Sequence, residues 1–280
     1  MQQFFELKLD EERALYGLNG IEVINCSFDG EADGESALKE CRDIVVRDSY
    51  FNLRYPFWHV TNAVISGVDM TENCRAALWY DKNITISDSM LHGIKALREC
   101  VGLKLNNLDV ISPEFMWKCR DIIIDNMTLN SEYPFFESAN LHINNLTMKA
   151  KYSFQYVSEM TITDSNLDTK DAFWHSENVT VRDSIVKGEY LGWYSKNLTF
   201  INCTIIGTQP LCYCEGLKLI DCRMVDTDLS FERSEVDASV LGKIAGIKNP
   251  YRGRIVADAI EDILIEPEIV DKSKTEIIIR

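Results

Sequence analysis

The stretch Asn83-Ile84-Thr85-Ile86-Ser87-Asp88-Ser89-Met90-Leu91 carries a phrase that recurs along the chain: a polar residue, alternating apolar positions, an Asn or Asp, and an apolar residue three places on. It returns as Asp121-Ile122-Ile123-Ile124-Asp125-Asn126-Met127-Thr128-Leu129 and as Asn197-Leu198-Thr199-Phe200-Ile201-Asn202-Cys203-Thr204-Ile205. With the second polar residue as a register mark, the phrase falls at Asn25, Asp48, Gly67, Asp88, Asn107, Asn126, Asn145, Asp164, Asp183, Asn202 and Asp221, at spacings of 23, 19, 21 and then 19 residues throughout. Chance alternation does not hold such a period, and it is too short for tetratricopeptide, ankyrin or propeller-blade repeats.

Four and two residues before the mark lie apolar pairs such as Ile84/Ile86, Leu103/Leu105, Ile122/Ile124 and Val179/Val181, with Thr, Lys or His often between them. That alternation predicts a short strand with one face inward. Three residues after the mark a second apolar row (Phe28, Phe51, Met70, Leu91, Val110, Leu129 and onward) predicts another strand beyond a polar corner. Asn, Asp and Gly suit the corners because they accept left-handed backbone angles. The fold expected is all-β, a right-handed single-stranded parallel β-helix of about eleven coils of ~19 residues. Residues 1–19 are expected to form an N-terminal cap, 20–225 the coils, and 226–280 a C-terminal cap with tail strands, all in one domain.

The coil pattern resembles the pectin-lyase-like superfamily of β-helices. More narrowly, the whole chain resembles a bacterial β-helix family of unknown function, including the tail Ile247-Lys248-Asn249-Pro250-Tyr251-Arg252-Gly253-Arg254-Ile255-Val256-Ala257-Asp258. Members of that family are sometimes labelled hydrogenases. A nickel-iron site asks for paired Cys-x-x-Cys motifs, and the nearest thing in this chain is Cys212-Tyr213-Cys214. The resemblance implies no catalytic residues.

Composition narrows the function classes. With 29 Lys and Arg against 44 Asp and Glu, a formal charge of −15, the chain lacks the basic balance of a nucleic-acid binder and is a poor match for a polyanionic substrate. No apolar run is long enough for a membrane span, and the start of the chain has no basic segment followed by a long apolar one, so the expected location is the cytoplasm. Nine cysteines then read as reduced thiols. Cys26, Cys203 and Cys222 share the row after the mark, and Cys41, Cys100, Cys119 and Cys214 the row seven before it, which suits stacked core thiols and no metal.

All five tryptophans, Trp58, Trp79, Trp117, Trp174 and Trp193, fall nine residues before a mark, in a row that also holds Arg98 and Gln155. The preceding row is nearly all Phe, Leu and Met. Neighbouring positions on a strand face opposite ways, so the Phe/Leu row is expected inside and the Trp row outside. Exposed, those rings would form a ligand-binding stripe for a neutral glycan, a protein partner or a second copy of the chain. A non-catalytic binding or scaffold protein is the reading preferred, with a glycoside hydrolase or lyase-like enzyme as the alternative. Glu137, Asp171 and His175 are the candidates for acid–base work in that alternative. No phosphate loop, nucleophile elbow or zinc-helix motif occurs, and no cofactor is expected.

Overall fold

The computed structural model covers residues 1–280 and is a parallel β-solenoid of about 15 turns, with a single short 3-10 turn at Lys272–Lys274 as its only helical element. No helix is long and apolar enough to cross a membrane. The chain divides into two compact units, Met1–His142 and Ile143–Arg280, and the boundary falls inside the strand Ala139–Tyr152.

In the first unit the strands Arg42–Arg47, Thr61–Ser66, Lys82–Leu91, Val101–Ile111 and Arg120–Asn130 pair in parallel. Their register puts Ile44, Ala63, Ile84, Leu103 and Ile122 opposite one another, and all five are buried. In the second unit Ile162, Val181, Phe200, Leu219, Ala238, Ile255 and Ile277 form a like column, the one that starts two residues before the mark. Each repeat therefore adds one rung to the same set of rows.

The coils extend further at both ends than the sequence period indicates. Gln2–Phe5 pairs with Ile21–Ile24, and Lys8–Leu9 with Ser27–Phe28, so the expected N-terminal cap is itself a coil. Glu6, nineteen residues before Asn25, occupies the mark with φ 53°. In the tail, Glu235–Val240, Arg252–Ala257 and Thr275–Ile279 stack on the strand Leu217–Val225 and on each other. Register steps of 17 residues from Ala238 to Ile255 and 22 from Ile255 to Ile277 hide these coils from a nineteen-residue search.

Every mark residue lies at positive φ, from 48° to 61°, and the residues five before it do so at 52–76°. Two bulkier rows share this conformation. Leu97, Met116, Phe135, Phe154, Phe173 and Leu211 have φ of 54–65°, and the residues two places after each, among them Tyr156, His175 and Tyr213, have φ of 53–59°. A left-handed residue costs ~1–2 kcal/mol, whereas full burial of a Phe side chain returns about 2–3 kcal/mol. Phe135, Phe154 and Phe173 are wholly buried, so burial wins and the Phe/Leu row points inward as expected.

The row seven before the mark has a second task beyond filling space. At some turns the N–H of a row residue is accepted by the side chain of the same row in the next coil, whereas Cys41, Ser138, Ser176 and Ser195 give theirs to the carbonyl three residues back. Cys100 donates to Cys119 Sγ at 3.4 Å, Cys119 to Ser138 Oγ at 3.0 Å, and Cys214 to Ser234 Oγ at 2.9 Å. Val60 donates to Asp81 Oδ1 at 2.7 Å. The row after the mark works alike: Cys26 donates to Ser49 Oγ and Val68 to Ser89 Oγ, both at 3.1 Å. Cys and Ser recur there because each is small and can accept. All nine thiols are free and buried, and burial pushes Cys41 and Cys214 up to about 11 and Cys74 and Cys212 up to about 12, which keeps them protonated.

Asp81 is the one carboxyl in this row. It is fully buried, its Oδ2 has no partner, and burial raises its pKa well above the usual range. The folded protein thus holds it neutral. Stability from this group is complete below the unfolded carboxyl value of ~4 and is lost as pH rises toward the folded one. Asp81→Ser keeps an acceptor for the Val60 N–H. Urea unfolding should show the variant gaining on the wild type between pH 4 and pH 7, by up to ~1.4 kcal/mol per pH unit. A pH-independent difference contradicts a neutral buried Asp81.

Candidate functional site

The tryptophan row forms a ladder on the outer side of the Phe/Leu row, and each of the five tryptophans is half-buried. In the first unit Phe57–Trp58 pairs with Leu78–Trp79, and bridges continue the row through Arg98 to Trp117. Lys39 Nζ stands 4.1 Å from the Trp58 ring, Trp58 stacks on Trp79 at 5.7 Å, and the Arg98 guanidinium lies 5.8 Å from Trp79 and 4.9 Å from Trp117. The charged member that marks this row as outward in the sequence is therefore a cation held between two indoles. In the second unit Trp174 stacks on Trp193 at 5.5 Å with planes 6° apart.

Three indoles are tied down by backbone. Trp117 Nε1 donates to the Tyr133 carbonyl at 2.6 Å, Trp174 to Tyr190 at 2.6 Å and Trp193 to Gln209 at 2.9 Å, each sixteen residues on. Nε1 of Trp58 and Trp79 is buried without an acceptor. The carbonyl sixteen residues beyond Trp58 is that of Cys74, in the two-residue insertion Asn73-Cys74, which alters this coil's spacing. Stacking consumes ring faces within the ladder, so the indoles offer edges outward.

The row after the tryptophans is the exposed one. In the second unit Tyr156, His175, Tyr194 and Tyr213 stack in sequence at 4.9, 5.1 and 4.9 Å, with planes 8–12° apart. Tyr156 and Tyr194 are 50% and 44% exposed, which makes this the open aromatic surface of the unit. Burial of its ring raises the Tyr213 pKa, and the carboxylate of Glu232 adds to the rise. Sequence periodicity shows this row but does not separate it from the Trp row in exposure, because a left-handed residue after every Trp, and before Trp117, Trp174 and Trp193 as well, breaks simple strand alternation.

The candidate acid–base residues have unlike surroundings. Glu137, in the first unit, pairs with Lys118 Nζ at 3.4 Å. Asp171, in the second, is buried, and that burial raises its pKa although Lys170 opposes the shift. His175 is exposed between Tyr156 and Tyr194. Cys203, Cys212, Cys214 and Cys222 do not gather with one another or with His, Asp or Glu into a group of three that could hold a metal ion.

A second concave surface, in the first unit, was not singled out by motif reading. It is a groove of about 500 Å3 over the strand faces near Gly102, bordered by Asn83, Thr85, Lys104, Asp121, Ile123 and His142. The sequence signal for it is Gly102, where the row five before the mark loses its Asn or Asp side chain.

Residues 2–278 match the model of a family described as a protein of unknown function, DUF3737. No curated protein matches the sequence. Among solved structures the chain is similar to the A-module of Azotobacter vinelandii mannuronan C-5 epimerase AlgE6, at 8% identity over 90% of this chain and 76% of that one, TM-score 0.39. It is also similar to the Agl-KA catalytic domain (9% identity, 93% and 62% covered, TM-score 0.39) and to the Streptococcus pneumoniae surface adhesin PfbA (5%, 88% and 81%, TM-score 0.30).

The half-buried indoles, three of them hydrogen-bonded, should resist quenching. Acrylamide quenching of the native protein should be well below that of free tryptophan and rise on unfolding in urea. Native quenching equal to that of the unfolded chain contradicts the covered ladder.

Proposed function

Because this chain belongs to the DUF3737 family of proteins of unknown function, we propose its role from its own surface: a non-catalytic binding protein that holds an extended neutral glycan along Tyr156, His175, Tyr194 and Tyr213. The observation that carries this reading is the open ladder of stacked rings, which presents phenol hydroxyls and an imidazole edge at a repeat of 4.9–5.1 Å. A chain of sugars laid along it meets one polar ring edge per coil and can exchange hydrogen bonds with each. Trp174 and Trp193 beside the ladder hold the backbone rigid, which lowers the ordering cost of binding. The overall charge of −15 favours a neutral polymer over an acidic one.

Binding without turnover is supported by the state of the candidate acid–base groups. Glu137 is engaged by Lys118, and the Asp171 carboxyl is buried away from the open rings. Nine free thiols suit a reducing compartment, and the location proposed is the cytoplasm.

A glycan array followed by titration of the best oligosaccharide tests this. Tyr194→Ala should weaken binding by about three- to tenfold, the effect of one aromatic contact. No glycan bound, or binding indifferent to Tyr194→Ala, overturns it. Release of reducing ends or unsaturated products, abolished by Glu137→Gln or Asp171→Asn, would instead establish a carbohydrate-active enzyme. A concentration-dependent dimer that Tyr194→Ala dissolves would assign the ladder to a second copy.

A further inference from the structure

In the first unit the row five before the mark is a hydrogen-bonded ladder. Asn62 Nδ2 donates to Asp43 at 2.8 Å, Asn83 Nδ2 to Asn62 at 3.1 Å, and Asn140 Nδ2 to Asp121 at 2.7 Å. Each Asn gives its amide hydrogen to the coil before and offers its oxygen to the coil after. At Gly102 the rung is missing. Asn83 Oδ1 lies 2.8 Å from where a Cβ of Gly102 would stand, so it faces the gap, and Gly102 has no side chain to donate to it. Across the gap Asp121 spends one oxygen on Asn140 and has no hydrogen to give.

The gap opens into the groove of about 500 Å3, whose wall carries Lys104, which has no carboxylate partner, and Ile123, 48% exposed. The chemistry of the missing rung follows from its two neighbours. A carboxamide would answer Asn83 but turn its own oxygen on the Asp121 carboxylate. A group that donates on both sides is required, and an ammonium does this while meeting the charge of Asp121. Lys104 then calls for an anion on the same ligand, and Ile123 for an apolar portion.

We propose that the Gly102 gap binds a free α-amino acid with an apolar side chain, its ammonium between Asn83 Oδ1 and Asp121, its carboxylate on Lys104 and its side chain over Ile123. This site is independent of the aromatic ladder of the second unit and of the glycan reading.

Calorimetric titration of the full chain with L-leucine, N-acetyl-L-leucine and L-leucinamide tests it. Leucine should bind with a Kd at or below about 1 mM, and each blocked analogue at least about tenfold more weakly. Gly102→Asn fills the gap at φ +76°, a left-handed angle that Asn62, Asn83 and Asn140 adopt at 57–59°, with the Asn83 amide turning off its 2.8 Å approach to the new Cβ, and the variant, folded by circular dichroism, loses leucine binding. Asp121→Asn keeps an acceptor for Asn140 but puts an amide hydrogen toward the ammonium, and it should lose leucine binding as well. Lys104→Gln should bring leucine down to the level of leucinamide. The proposal is overturned if leucine gives no binding at about 20 mM, if N-acetyl-L-leucine binds as well as leucine, or if Asp121→Asn, folded by circular dichroism, binds leucine like the wild type.

Discussion

Each coil of a parallel solenoid must turn sharply several times, and every turn leaves backbone N–H groups that the strand ladder does not reach. An unpaired buried N–H costs about 1–3 kcal/mol, and a chain of many coils meets that cost at each one. In this protein the missing acceptor comes at some turns from the carbonyl three residues back, as for Cys41, Ser138, Ser176 and Ser195, and at others from the next coil, through Ser Oγ, Cys Sγ or, once, Asp Oδ1. Where the side chain serves, the dependence runs one way along the chain: coil n is satisfied by a side chain of coil n+1. Register between coils is therefore enforced by polar groups as well as by the apolar rows, and a slip of one residue would leave both unmatched.

The same constraint explains which features are legible in the sequence. Asn and Asp at Asn25 through Asp221 mark corners because left-handed angles are cheap for them, so the period stands out. The Phe/Leu row is legible from the absence of any charged member. The first coil is not, because Glu6 holds the corner that Asn or Asp holds elsewhere. The last coils are not, because their turns differ in length while their inner column, Ala238, Ile255 and Ile277, stays in register. Packing sets the column, whereas loop length is free to vary. Asp81 was legible in principle as a carboxyl in a row of Cys, Ser and Val. Its meaning needed the observation that the row accepts N–H groups.

For the candidate sites, periodicity finds rows but not their depth. The tryptophans share a row, yet stacking and three backbone hydrogen bonds cover them, and the exposed rings are one residue further on. The reason lies in the backbone. With a left-handed residue after every Trp, and before three of them, the segment bends, and inside and outside no longer alternate simply. Both proposed binding surfaces then follow from repetition: one where identical rungs continue, at Tyr156 to Tyr213, and one where a rung is omitted, at Gly102.

Native-state hydrogen exchange at the amides of Cys26, Val60, Val68 and Cys119 tests the coil-to-coil capping most directly. These N–H groups lie outside the strand ladder, and their acceptors are side chains of the next coil. The account predicts protection comparable to that of the ladder amides in the strand Val101–Ile111. Exchange as fast as in exposed turns would contradict it.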